Sequence, residues 1–191
     1  MNRHVELLEQ QRVFDDFFKI DSVLLRHTRF DGSMTPVLSR LVYRRNDAVA
    51  ALLRHRERNT LILVEQFRPP VYLKGDEGWI TELPAGLMDV DGEEPLETMH
   101  RELLEETGYR APELEHILTY YTTPGGATER MWLYYGEVTD EDRIEEGGGV
   151  DAGEDLRVIE MTREELAAGI YDGTIVDAKT IIAVQWYLAH K

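Results

Sequence analysis

The chain has 191 residues, a formal net charge of -16 and no cysteine. That length can bury a proper core and suits one domain with a modest extension. The acidity argues against nucleic acid or an anionic membrane as partner, because phosphate backbones are held chiefly by Lys and Arg, and the missing thiols exclude disulfides, Cys-based zinc sites and thiol nucleophiles while suiting a reducing cytoplasm.

Met1-Asn-Arg-His-Val-Glu-Leu-Leu-Glu9 lacks the apolar core of a signal peptide, and the run Ile181 to Ala189 is far short of the ~20 residues that cross a bilayer, so a soluble protein is expected. Residues 1–44 read as a small β ribbon, with strands over Phe17 to His27 and Val37 to Tyr43 and Asp31-Gly32-Ser33 as the turn. A ribbon of that size is marginal alone and needs to pack on the main domain or on a second subunit. Residues 45–191 read as the main domain, opening with two short buried strands, Ala48 to Leu53 and Leu61 to Val64, joined by a charged turn over Arg54 to Asn59. Strands are predicted again over Leu114 to Tyr121 and Met131 to Val138. The capping-box spelling Thr162-Arg-Glu-Glu165 starts a helix expected to end near Gly169, and a last helix runs from Asp177 to His190. Strands alternating with helices predict an α/β layered domain whose sheet is covered on both faces.

The chemistry lies in the acidic stretch from Gly86 to Tyr109. Pro95 suits a first helical turn and Gly108 the position just past the end, while Leu96, Met99 and Leu103 recur at spacings of three and four as an apolar stripe. On the other side Glu102, Glu105 and Glu106 crowd together, and like charges at that spacing cost roughly 0.2–0.5 kcal/mol per pair. A hard divalent cation offsets such crowding, since Mg²⁺ takes oxygen ligands and is commonly held by a few carboxylates together with substrate phosphates. Arg101, one position before Glu102, is expected to point elsewhere, back to Glu93 or forward to Glu105.

From Glu93 onward the stretch resembles the Nudix hydrolase signature, a Glu, seven residues, then Arg-Glu-aliphatic-any-Glu-Glu-any-Gly-aliphatic, with Glu93, Arg101, Glu102, Leu103, Glu105, Glu106 and Gly108 in register. Two positions depart from it. Six residues separate Gly86 from Glu93 where the pattern has five, and Tyr109 stands where an aliphatic residue is usual. The resemblance implies an α/β/α sandwich around a mixed sheet. Glu65-Gln-Phe-Arg68, Glu82-Leu-Pro-Ala85-Gly86, Thr123-Pro-Gly-Gly-Ala-Thr-Glu129-Arg130, Gly147 to Asp155 and Val176-Asp-Ala-Lys179-Thr further resemble the branch of ADP-ribose and GDP-mannose pyrophosphatases.

In that branch metal ligands correspond to the Ala85 carbonyl, Glu102, Glu106 and, on the late acidic loop, Glu154; Arg68, Glu129 and Asp177 match substrate contacts. The base usually stands two residues ahead of the loop ligand. Asp151 stands three ahead of Glu154, so the catalytic candidates are Asp151, Glu154 and Glu105. The implied activity is hydrolysis of the pyrophosphate bond of a nucleoside diphosphate sugar with Mg²⁺, or Mn²⁺ in its place, by a cytoplasmic homodimer. Arg45-Asn-Asp-Ala and Ala183-Val-Gln-Trp186 put ADP-ribose first, whereas Gly147-Gly-Gly-Val and Asp177-Ala-Lys179-Thr favour GDP-mannose as the alternative. A catalytically silent nucleotide sensor on the same fold is the reading of another class, and the intact acidic trio argues against it. An EF-hand-like calcium loop at Asp89-Val-Asp91-Gly92 fails because Leu87 and Thr98 would occupy positions that need Asp and Glu.

Overall fold

In a computed structural model, which describes residues 3–149 and 155–191, the chain divides into two units, one of residues up to Asp47 with Tyr121–Arg130 and one of Ala48–Tyr120 with Met131–Lys191. The smaller unit carries an antiparallel sheet in the order β1 (Val5–Asp15), β2 (Lys19–His27), β3 (Leu38–Arg44). The second and third strands lie where alternation places them. The first is not visible in the sequence, because register shifts between Leu7 and Glu9 and between Arg12 and Phe14 break the two-residue period that marks a strand. Its pairing is secured by Asp21, only 3% exposed, which accepts from Gln10 Nε2 at 2.7 Å and Arg12 Nε at 2.5 Å. At the expected turn, Asp31 Oδ1 accepts from the Ser33 amide and hydroxyl, and Gly32 supplies the positive φ.

The larger unit is built on a mixed sheet in the order β10 (Leu156–Thr162), β5 (Thr60–Phe67), β4 (Ala48–His55), β9 (Arg130–Val138), β8 (Leu114–Tyr121), with β6 (Trp79–Glu82) on β5 and β7 (Ala85–Leu87) on β4. Strands β4 and β9 are parallel; β4 and β5, like β5 and β10, are antiparallel. A short helix, α1 (Pro69–Leu73), follows β5, and α2 (Pro95–Thr107), α3 (Arg163–Asp172) and α4 (Ala178–His190) complete the layers.

Strict alternation along β4 sorts the core. Ala48, Ala50 and Leu52, with Leu61, Leu63, Leu133 and Tyr135, pack against Leu166 of α3 and Ala183, Val184 and Tyr187 of α4. Val49, Ala51 and Leu53, with Ile62, Tyr134 and Val138, pack against Met99 and Leu103 of α2. The expected α/β/α sandwich with a mixed sheet is therefore what the chain forms, because its central strands are apolar on both faces and each face needs a cover.

Two helix details differ from the sequence reading. Leu96 is exposed rather than part of the buried stripe, since it lies in the first turn, whereas Met99 and Leu103 are fully buried. Gly169 lies inside α3, which continues to Asp172 and ends on Gly173 at φ 85. An added Cβ at Gly169 would meet Ile175 Cγ1 at 2.8 Å, so this glycine serves close packing rather than termination. We predict that Leu103→Ala, which empties a sealed site, costs about 2–5 kcal/mol, while Leu96→Ala changes stability by less than ~0.5 kcal/mol. Equal urea midpoints for the two variants would refute this placement.

Candidate active site

Helix α2 positions the acidic residues. The Glu94 amide donates to Glu97 Oε2 at 3.0 Å and Pro95 opens the first turn, while Gly108, at φ 77, closes the last one. The longer loop ahead of it closes in a turn in which the Glu93 amide donates to the Val90 carbonyl and Gly92 adopts φ 83.

Arg101 reaches further than its place in the sequence suggests. Its guanidinium donates to both Glu93 oxygens at 3.2 and 3.1 Å, to Glu102 Oε1 at 2.6 Å and to Glu105 Oε2 at 3.2 Å. The expectation that it points away from Glu102 is thus corrected, since the long fork can fold back along its own helix turn while still anchoring the loop. These bonds hold Glu93 below the ordinary carboxylate range. They also offset part of the like-charge crowding of Glu102 and Glu105.

Glu106 is the residue that Arg101 does not serve. It is 8% exposed, and its Oε2 accepts from the Ala85 amide at 2.9 Å. Burial pushes its carboxyl up to about 8, the Ala85 amide lowers it in part, and the charges of Glu102 and Glu82 raise it further. Gly86 gives Glu102 its room: a Cβ there would stand 1.9 Å from the Glu102 carboxyl carbon. Glu102 and Glu106, one turn apart on the helix and the latter poorly compensated, beside a turn free of side-chain bulk fit a hard divalent cation.

Other potential ligand atoms meet elsewhere, where His55, Glu57 and Asp140 each bring one to within 4.8 Å of the others. Arg58 already pairs with Asp140 and Glu160 there, and its amide donates to His55 Nδ1 at 3.3 Å, so a carboxylate and one ring nitrogen of that group already have partners within the protein. Arg58 also explains the departure at Tyr109, which is 1% exposed and accepts from Arg58 Nη2 at 2.9 Å through its hydroxyl. The ring fills the aliphatic position while its polar end is satisfied.

The remaining candidates have defined surroundings. Arg68, just after β5, donates through Nε to Glu82 Oε1 at 2.7 Å. Asp177 caps α4, its Oδ2 accepting from the Thr180 amide at 3.0 Å and hydroxyl at 2.6 Å, and lies 3.2 Å from Lys179 Nζ. Glu129 belongs to the smaller unit, where it is 7% exposed, pairs with Arg45 at 2.8 Å and accepts from Thr122 Oγ1 at 2.7 Å. Glu105 contacts Arg101, and its carbonyl accepts from the Gly149 amide at 3.1 Å. Asp151 and Glu154 lie outside the described residues. Sequence reasoning quoted Glu82 and Lys179 inside motifs but gave them no role. Glu82, between Thr81 and Leu83 in the mostly apolar stretch Trp79 to Ala85, carried the available signal, because a charge in such a stretch must be paired when it is buried.

A carboxylate-bearing helix beside a bulk-free turn, on a mixed sheet between helices, is an arrangement able to support hydrolytic chemistry on a phosphate-bearing substrate. The NUDIX domain model matches residues 44–181, and the chain belongs to the Nudix family. It is 37% identical over 186 residues to the GDP-mannose pyrophosphatase of Cronobacter sakazakii, covering 97% of this chain and 95% of that one. It is 36% identical to the GDP-mannose pyrophosphatase of Pectobacterium atrosepticum, with 97% and 94% covered. A solved structure described as an ADP compounds hydrolase shares the fold, with a TM-score of 0.71 and 22% identity over 94% of this chain and 90% of that one.

The buried carboxyl makes a prediction about pH and metal. Without divalent cation, folded Glu106 keeps its proton to about pH 8 whereas the unfolded chain releases it near the ordinary 4.5, so the folded state binds the extra proton across that window and its stability falls as pH rises through it. Glu106→Gln removes this loss, so in chelator its melting temperature should match wild type near pH 5 and exceed it by ~5 °C or more at pH 8, with added Mg²⁺ closing the gap by stabilising wild type. A variant no more stable than wild type at pH 8 in chelator contradicts the account.

Proposed function

We propose that the chain hydrolyses the pyrophosphate bond of nucleoside diphosphate sugars in a Mg²⁺-dependent reaction, with Mn²⁺ as a possible substitute. The buried Glu106 beside Glu102 carries this reading, since a carboxylate pair so placed is costly without a cation and useful with one. The motifs alone put ADP-ribose first. Relatives named GDP-mannose pyrophosphatase, 32–37% identical over nearly the whole chain, support the reverse order, GDP-mannose before ADP-ribose.

Glu102, Glu106, the Ala85 carbonyl and Glu154 would hold the cation. When bound it lowers the pKa of a water molecule and neutralises charge on the pyrophosphate. Asp151 takes the proton from the attacking water, with Glu105 the next carboxylate able to do so, and a carboxyl of ordinary pKa is sufficient for an acidified water. Arg68 binds the substrate phosphates, and Asp177 and Glu129 each keep the substrate contact that their motif assigns. The absence of cysteine supports a cytoplasmic setting.

The test is a panel of nucleoside diphosphate sugars with Mg²⁺, scored by kcat/KM. GDP-mannose is expected to lead, Glu154→Gln to raise the Mg²⁺ requirement, and Asp151→Asn to lower kcat by ~10²–10⁴-fold at a normal requirement. Hydrolysis of none of the panel defeats the proposal, and a leading ADP-ribose reverses the order of substrates.

We further infer a homodimer formed through the small unit. That unit leaves Val5, Leu7, Val13, Phe17 and Leu41 exposed, a concentration of apolar side chains that a three-stranded sheet does not bury by itself. The expected mass in solution is twice 22.1 kDa, and Phe17→Asp with Leu41→Asp should shift it toward the monomer. A wild-type monomer by light scattering that retains full activity rules the dimer out.

A further inference from the structure

Glu82 is a buried acidic residue of the larger unit whose burial the proposed metal site does not explain. It ends β6, immediately ahead of Leu83-Pro84-Ala85, and is 2% exposed. Each of its oxygens is taken by a cation: Arg68 Nε donates to Oε1 at 2.7 Å, and Lys179 Nζ donates to Oε2. Lys179 is itself buried and also pairs with Asp177 at 3.2 Å. Stability is a poor reason for such an arrangement, since a buried ion pair is often no better than well-packed apolar groups of the same volume.

The geometry at Arg68 suggests a different reason. Its side chain is 42% exposed although its partner is sealed from water. The bond to Glu82 is made through Nε, which leaves Nη1 and Nη2, with four of the five donors, to other acceptors. A guanidinium held by its inner nitrogen presents a fixed planar fork, the shape that matches two phosphate oxygens at once. The backbone is fixed as well. The Arg68 amide donates to the Gly78 carbonyl at 2.8 Å, and an added Cβ at Gly78, at φ 92, would run into the Phe67 ring at 2.4 Å.

The same connections reach the turn that carries Ala85. The Leu83 amide donates to Thr180 Oγ1 at 2.9 Å, and that hydroxyl donates to Asp177 Oδ2 at 2.6 Å, so the first turn of α4 is stitched to the stretch between Glu82 and Ala85. Glu82 with Lys179, and Asp177 with Thr180, thereby link the arginine fork to the stretch that leads into Ala85.

We propose that Glu82 is a positioning residue, which aims the outer nitrogens of Arg68 at the phosphates of the nucleoside diphosphate, with Lys179 as the buried counter-charge that keeps Glu82 in place. The inference rests on the reading of Arg68 as a phosphate contact given above. Glu82 touches no substrate atom and acts through the arginine it orients. Losing its charge frees the arginine to sample other rotamers, and the cost falls on substrate binding rather than on metal binding.

A double-mutant cycle tests this. Glu82→Gln should raise KM ~10-fold or more with a smaller fall in kcat and an unchanged Mg²⁺ requirement, and in an Arg68→Ala background it should add less than ~2-fold. Additive effects, or a wild-type KM in Glu82→Gln, overturn the proposal. Thermal melts establish whether the variant folds; if it does not, Glu82→Gln with Lys179→Met removes both buried charges and takes its place in the same cycle. Wild type inactive on every nucleoside diphosphate sugar would instead defeat the functional reading. The cycle is then run on equilibrium binding of ADP with Mg²⁺, where Arg68→Ala and Glu82→Gln must each weaken affinity without adding, and unweakened binding overturns the role of Glu82.

Discussion

Glu106 carries a carboxyl group that the fold withholds from water, and the arrangement around it follows from that one cost. A single main-chain donor, the Ala85 amide, offsets part of it. The neighbouring acids all have cationic partners, Arg101 shared by Glu93, Glu102 and Glu105, and Arg68 with Lys179 for Glu82. In a chain of net charge -16 these few cations are placed where repulsion would otherwise be worst. What they leave without a cation is Glu106, which keeps its proton instead, and the proposed divalent ion would both take that proton's place and make the region hospitable to an anionic substrate.

The ends of α2 are fixed by the same loops that border the acidic residues. Gly108 and Gly147 approach so closely that a Cβ on either would collide with backbone, at 2.1 Å from the Glu145 carbonyl oxygen and 2.6 Å from the Thr107 carbonyl carbon. The Gly148 and Gly149 amides donate to the carbonyls of Glu106 and Glu105. These amides cover carbonyls that a helix end would otherwise leave unpaired, and they tie the described end of the late acidic loop to the turn of helix that carries both glutamates.

How much of this could be read from the sequence depended on whether a feature is periodic or pairwise. The layers followed from apolar runs in β4, β5 and β9 and from the stripe of Met99 and Leu103, since a period states which side is buried. Strand β1 was invisible because bulges interrupt its period, and Gly169 misled because a glycine spells both a helix stop and a tight contact. At the site, the spacing of Glu102 and Glu106 on one helix was legible. The reach of Arg101 back to Glu102 was not, nor was the pairing of Glu82 with Lys179, 97 residues apart, because which charge meets which is decided by how distant strands and helices converge.

Strand β4 is hydrogen-bonded along both edges, by β9 on one side and by β5 and β7 on the other, and residues Val49 to Leu53 are wholly shielded on both faces. Its amides therefore have no local route to solvent, and they should exchange with bulk water only when the larger unit opens as a whole. Their exchange rates report the global stability of the domain, whereas those of the doubly bulged β1, exposed along nearly all its length, report only local opening.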